Sequence, residues 1–218
     1  MKGDNMNKKQ CVVYDVEIAK KVEDVPGQWD NPEGMRFASA VAYDYGTDRY
    51  HFFVGEEQKQ GLLNLLDKRI AVTFNGVKFD SRVILGNDRI TYVDPHAGLM
   101  RINSNTGSAI FPYSWLDYDI LLEYVKARFG YEDVAAAEKR LGDRVIHDGS
   151  FSLDGLAEGT FGLHKTGHGA NAPILYQQGK IGELLEYNLN DVRLTKRLFD
   201  FIQKYGFVVD RAGRVVRV

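Results

Sequence analysis

Residues 11–18 read CVVYDVEI, an apolar and β-branched run broken only by two acids. Such a run is a buried strand. The two-residue period of a strand puts Asp15 and Glu17 on the same face. Two carboxylates side by side in an apolar strand repel each other, and both lose hydration. Something must neutralise them. A divalent cation would do so, and so would backbone or arginine groups at a strand end.

Further along, residues 35–46 and 49–54 form two strands around Gly46-Thr47-Asp48, a predicted hairpin that joins the first strand in an antiparallel unit. Leu62, Leu63, Leu65 and Leu66 give residues 56–69 a helical pattern, and 70–74 is a short apolar strand. Asn75-Gly76 turns the chain into a helix over about 78–85. Residues 86–114 are rich in Gly, Asn, Ser and Pro and read as an insertion or long loop, with room for a small hairpin at Asn105-Thr106-Gly107. A strand follows over 115–120 and a helix over 121–129, while 131–149 is polar and irregular with some helix. Ser152 is a candidate N-cap for a helix that begins there, and 159–173 reads as a Gly-rich loop. The amphipathic run 181–205, stopped by Gly206, is the clearest helix. The tail 207–218 alternates Val and Arg around Ala212-Gly213, as a terminal hairpin would. No repeat or linker interrupts this order. The expectation is one α/β domain over 1–218, with its core at about 11–206.

The chain has 218 residues, 44% of them hydrophobic, enough for a sizeable core. A net charge of −2 argues against a broad basic surface for duplex nucleic acid. It does not argue against a local site in which bound cations reverse the charge of clustered acids. The single cysteine, Cys11, lies in the apolar strand and is expected to be a buried small hydrophobe. No apolar run approaches 18 residues, and the first residues are polar with mixed charge, so a cytoplasmic location is expected.

Two more carboxylates join the pair on the first strand. Asp80 closes the segment Asn75-Gly76-Val77-Lys78-Phe79-Asp80, where a strand runs through a tight turn into a helix. The helix dipole alone would favour an acid at that place. Tyr187 and Asp191 are four apart on the last helix and share a face with Leu184, Leu194 and Leu198, so the acid needs a buried partner. A Tyr–Asp hydrogen bond would satisfy it, as would a metal ion.

Asp-x-Glu on the first strand, Asn-Gly-x-x-Phe-Asp after a later one and Tyr-x-x-x-Asp on the C-terminal helix resemble the DEDDy 3′–5′ exonucleases of the RNase H-like superfamily. That group includes the proofreading domains of family B DNA polymerases and stand-alone relatives. The match in order and spacing runs over roughly residues 11–200. It implies an RNase H-like α/β fold, with a central mixed five-stranded sheet flanked by helices. It also implies that Asp15, Glu17, Asp80 and Asp191 hold two divalent ions, Mg²⁺ or Mn²⁺, which suit all-oxygen ligation. Tyr187 would orient the attacking water, since a phenol with a pKa near 10 is a poor base.

The expected activity is hydrolysis of single-stranded DNA or RNA from 3′ ends, by itself or beside a polymerase or helicase partner. Asn75, Phe79 and Lys165 are candidate substrate contacts. One departure is Ile18, where family members often carry Thr or Ser after the Asp-x-Glu pair. It removes a hydroxyl contact to the terminal nucleotide. Two other functions remain open on the same residues: a catalytically silent nucleic-acid-binding domain, and an endonuclease or small-nucleotide phosphodiesterase. Asp117 and Asp119 share a face of the 115–120 strand, either supporting the site or facing solvent as strand-end acids do more often. His164 and His168 lie in the Gly-rich loop with no cysteine near them and are expected to be solvated.

Overall fold

The computed structural model describes residues 6–86, 100–103, 113–130, 151–165 and 169–218. Strand β1 (Cys11–Ile18) lies mid-sheet, between β2 (Phe37–Asp44) and β4 (Ile70–Thr73). β2 pairs antiparallel with β1 and with β3 (Arg49–Val54), so the first three strands form the expected meander. β4 runs parallel to β1 and to β6 (Ser114–Asp119). These five strands form the mixed α/β sheet that an RNase H-like fold requires. Outside β6 lies a sixth strand, β5 (Met100–Asn103), added antiparallel at the edge. It belongs to the segment read as an insertion, where alternation is too weak to announce a strand and only the open edge of β6 specifies one. The hairpin expected at Asn105–Gly107 and the irregular stretch 131–149 lie outside the described residues.

The strand period sorts β1 between two cores. Val12, Tyr14, Val16 and Ile18 face Leu62, Leu63 and Leu66 of α1 (Lys59–Leu66) and Val83 and Ile84 of α2 (Asp80–Leu85). Cys11 and Val13 face the other way, toward Val192, Leu198, Phe199 and Ile202 of the long helix α6 (Ile181–Tyr205). That second core also takes Tyr124 and Val125 of α3 (Ile120–Phe129) and Leu156 of α4 (Leu153–Phe161). Odd-numbered residues of β1 therefore point at α6, and Asp15 and Glu17 continue that row. Burying a Leu or Phe side chain contributes roughly 1.5–3 kcal/mol, so a one-residue slip of β1 would exchange the two rows and is excluded by the packing.

Ser152 caps α4 by accepting from the Gly155 N–H at 2.9 Å, as its sequence position suggests. The helix then continues to Phe161, through residues read as the start of a Gly-rich loop. Gly159 explains the difference. A Cβ there would sit 2.3 Å from the backbone of Asp210, so the glycine is a close approach between α4 and the C-terminal segment rather than a breaker. A short helix α5 (Ala172–Gln177) precedes α6, and the tail forms the expected hairpin of β7 (Phe207–Val209) and β8 (Val215–Arg217). No helix among the described residues is long and apolar enough to cross a membrane.

Candidate active site

β4 stops pairing with β1 at Val13↔Val72, so the N–H groups further along β1 need other partners. The Val16 N–H donates to Asp80 Oδ1 at 2.7 Å. This bond ties the first residue of α2 to the backbone between Asp15 and Glu17. The turn leading there is tightly specified. Asn75 adopts φ 68°, a left-handed conformation that Asn tolerates, and a Cβ on Gly76 would lie 2.4 Å from the Thr73 side chain. Asp119 fastens the turn by accepting from the Asn75 N–H at 2.9 Å and the Val77 N–H at 3.2 Å, while also capping α3 at Leu121 and Leu122.

Across the sheet face, α6 brings Asp191 over the β1 acids. One ligand oxygen each from Asp15, Glu17 and Asp191 lie within 4.8 Å of one another. Asn188, one turn before Val192, donates from Nδ2 to Asp15 Oδ2 at 2.6 Å. Lys165, four residues past the end of α4 at Phe161, places its ammonium on Asp191 Oδ2 and lies 5.3 Å from the centre of the Tyr187 ring. Its own backbone N–H is held by Asp154 Oδ1 at 2.7 Å. Asp191 Oδ1 is buried without a hydrogen-bond partner.

Burial pushes the carboxyls of Asp15, Glu17 and Asp80 well above the ordinary range, and the neighbouring acids push the same way. Asp191 is raised by burial too, though Lys165 and the Tyr187 hydrogen bond pull it back. Burial opposes the Lys165 ammonium, but Asp191, Tyr187 and Asp15 outweigh burial and lift its pKa. The Tyr187 phenol is raised by burial and then by Asp191 and Glu17, so it keeps its proton at neutral pH.

These residues fit divalent metal binding. The donors are all carboxylate oxygens, they converge, one of them is orphaned, and the cluster carries more negative charge than Lys165 can cancel. A second acidic group, Asp154 and Glu158 with His164 nearby, differs in kind, because the Arg211 guanidinium already bridges both carboxylates. His164 is largely exposed beside Asp154, and His168 lies outside the described residues.

In the metal-free protein the raised carboxyls set a pH dependence. A carboxyl whose folded pKa lies above its unfolded value stabilises the fold below the unfolded value, near 4, and loses that contribution as pH rises through the folded one. Melting temperature in chelator should therefore fall from mildly acidic to alkaline pH, and Mg²⁺ or Mn²⁺ should flatten the decline by binding the ionised cluster. A metal-free melting temperature that climbs steadily from pH 5 to 8.5, with no response to either ion, would rule this out.

The structure brings together Asp15, Glu17, Asp80, Tyr187, Asp191 and, through its amine, Lys165. Phe79 lines the cleft beside Glu17, whereas Asn75 is placed only in the turn before α2, where its N–H donates to Asp119. Asp117 and Asp119 are not solvent-facing. They are 0% and 4% exposed, and Asp117 accepts from Thr73 Oγ1 at 2.7 Å while Asp119 holds the Asn75 turn. Parallel pairing of β6 with β4 places both inside the sheet, which strand-end preference does not anticipate. Two side chains escape the sequence reading: Asn188, whose role depends on Asp15 being one β1 row away, and Trp29.

No family model and no curated protein matches this sequence. Among solved structures, the chain is similar to the family B DNA polymerase from the hyperthermophilic archaeon Pyrobaculum calidifontis, with a TM-score of 0.53 and 16% identity. The likeness covers 88% of this chain and 24% of the polymerase chain, so the present chain spans about a quarter of that protein's length. At such identity the likeness establishes the fold alone. It agrees with the RNase H-like arrangement of sheet and helices described above.

Proposed function

We propose that this protein is a metal-dependent nuclease that removes nucleotides from the 3′ ends of single-stranded DNA or RNA. The observation that carries this reading is the convergence of Asp15, Glu17 and Asp191 within 4.8 Å, with Asp80 bonded to the strand between the first two. Local sequence does not require four acids from three separate elements to meet in an apolar interior, and leaving them there without cations is costly. The motif resemblance and the polymerase-like fold support the same reading.

Asp15, Glu17, Asp80 and Asp191 would hold two Mg²⁺ or Mn²⁺ ions. When bound, such ions supply Lewis-acid stabilisation of the charge on the attacking and leaving oxygens of a phosphodiester. The chain's own residues do the positioning. Asn188 fixes the rotamer of Asp15, and the Val16 N–H fixes Asp80. Tyr187, protonated and next to Asp191, can orient a water by hydrogen bonding but does not remove its proton. Lys165 lies close enough to the cluster to meet a phosphate oxygen once Asp191 is otherwise engaged.

Incubating 5′-labelled DNA and RNA oligonucleotides with Mg²⁺, Mn²⁺ or chelator tests the reading. The expected product is a ladder shortening from the 3′ end with either ion and none in chelator. Circular single strands should resist under conditions that degrade linear ones. Equal rates on the two would make the protein an endonuclease, and metal-supported binding without cleavage would make it a silent binding domain.

A further inference from the structure

Beside Glu17 opens a cleft of about 790 Å³, lined by the apolar side chains of Ile18, Trp29, Phe79, Pro173 and Ile174, with Lys21 and Glu23 also in its lining. Trp29 is the unusual member. It is 67% exposed, although the loop that carries it is closely tied down. Val25 and Met35 anchor that loop in the core. Asn31 spans it, donating to the Pro26 carbonyl at 2.9 Å and accepting from the Gly34 N–H at 3.0 Å. Gly27 and Gln28, immediately before the tryptophan, have φ of 85° and 46°. The second is a conformation that residues with a Cβ rarely adopt and that is kept where the surroundings impose it. The loop thus holds a large flat ring in water. Its only aromatic neighbour among the described residues is Phe79, at 5.9 Å and tilted by 51°, which leaves most of the indole uncovered.

We infer that Trp29 is a stacking platform for a nucleobase of the strand being degraded. The inference rests on the nuclease reading, because it takes the scissile phosphate to lie at the carboxylates. Glu17 belongs both to the carboxylate cluster and to the cleft wall, so a strand whose phosphate reaches the cluster runs its neighbouring residues into the cleft. A nucleobase suits what it meets there: an exposed indole, apolar walls, and a lysine able to approach the backbone. Every base has a π face, so such a platform binds single strands with little sequence preference and rejects paired bases, whose faces are already stacked.

The two tryptophans of the chain allow a direct test. Trp115 is 2% exposed and supplies a constant background, whereas Trp29 reports on the cleft. The full chain is titrated in Mg²⁺ with short oligothymidylates whose terminal 3′ linkage is a phosphorothioate, which slows hydrolysis during the titration. Binding should quench the wild-type emission and leave that of Trp29→Phe unchanged. Trp29→Ala should weaken binding on the order of tenfold, and Trp29→Phe should retain most of the affinity. A strand with abasic sites near its 3′ end should lose a similar factor on the wild type and much less on Trp29→Ala. Because the side chain is exposed, the variants should keep the wild-type melting temperature. Wild-type affinity in Trp29→Ala, or no quenching at saturation, overturns the platform even if metal-dependent cleavage is intact. A wild-type chain that neither binds nor cleaves any strand overturns the nuclease reading, and the platform with it.

Discussion

Tyr187→Phe should leave the fold and metal binding in place and slow cleavage about 10²-fold, as expected when a positioned catalytic group is lost. A 10²-fold loss corresponds to about 2.7 kcal/mol in the barrier. The stability change should be smaller, roughly 0.5–1.5 kcal/mol for one hydrogen bond. The contrast matters because Tyr187 has structural contacts. Its ring lies 5.3 Å from the Lys165 amine, and its hydroxyl supports Asp191. If that support were its whole purpose, the variant would lose a little stability and no rate once metal saturates. Asp191→Asn should cost at least as much activity and should also weaken Mn²⁺ binding measured by calorimetry, since it removes a carboxylate from the convergent set. Single-turnover rates at saturating metal and substrate decide the point, and a Tyr187→Phe rate equal to wild type would remove the tyrosine from the mechanism.

Glu17→Gln should move activity and stability in opposite directions. Burial raises the Glu17 carboxyl, and Asp15 and Asp191 raise it further, so in the absence of metal its charge is a net cost to the fold. A neutral side chain of the same shape removes that cost. The metal-free melting temperature should rise by an amount on the order of 1 kcal/mol, or about 2–4 °C for a chain of this size. The gain in melting temperature on adding Mg²⁺ or Mn²⁺ should shrink, and cleavage should drop at least 10²-fold as a metal ligand is lost. Asp191→Asn is a poorer choice for this comparison, because it would leave the buried Lys165 ammonium without its partner. Thermal melts with and without metal, next to rates on one labelled strand, give all three readings. A Glu17→Gln protein that is less stable than wild type in chelator would mean that the acid is held by structural contacts and that the cluster is not strained.

Much of the candidate site could be read from local pattern, because the relevant signals are local. Alternation along residues 11–18 put Asp15 and Glu17 on one face, and the four-residue spacing of Tyr187 and Asp191 put them on one side of a helix whose leucines had to be buried. The ends of β1 and α6 follow from the same periodicities, with Gly206 in a left-handed conformation closing the helix. What alternation does not supply is which face of the sheet the helix covers. That is decided by the odd-numbered core residues Cys11 and Val13 packing against Val192 and Leu198.

Other features depend on contacts between residues far apart in the chain, for which short-range spacing carries no information. Asp80 reaches β1 because β4 stops pairing and leaves the Val16 N–H to be satisfied. Asp117 and Asp119 are buried because β6 pairs with β4 inside the sheet; Asp119 is held by the Asn75 turn and Asp117 Oδ1 by Thr73, while Asp117 Oδ2 has no hydrogen-bond partner. Lys165 meets Asp191 across 26 residues, and Trp29 stands beside Phe79 across 50. The amino-acid sequence by itself determined the strands other than β5, the long helix and the identity of the acids, since each rests on hydrophobic period and backbone preference within a few residues. The tertiary structure alone decided that the acids converge, that a lysine sits among them and that an exposed indole flanks them, since those facts arise from elements far apart in the chain packing on both sides of β1.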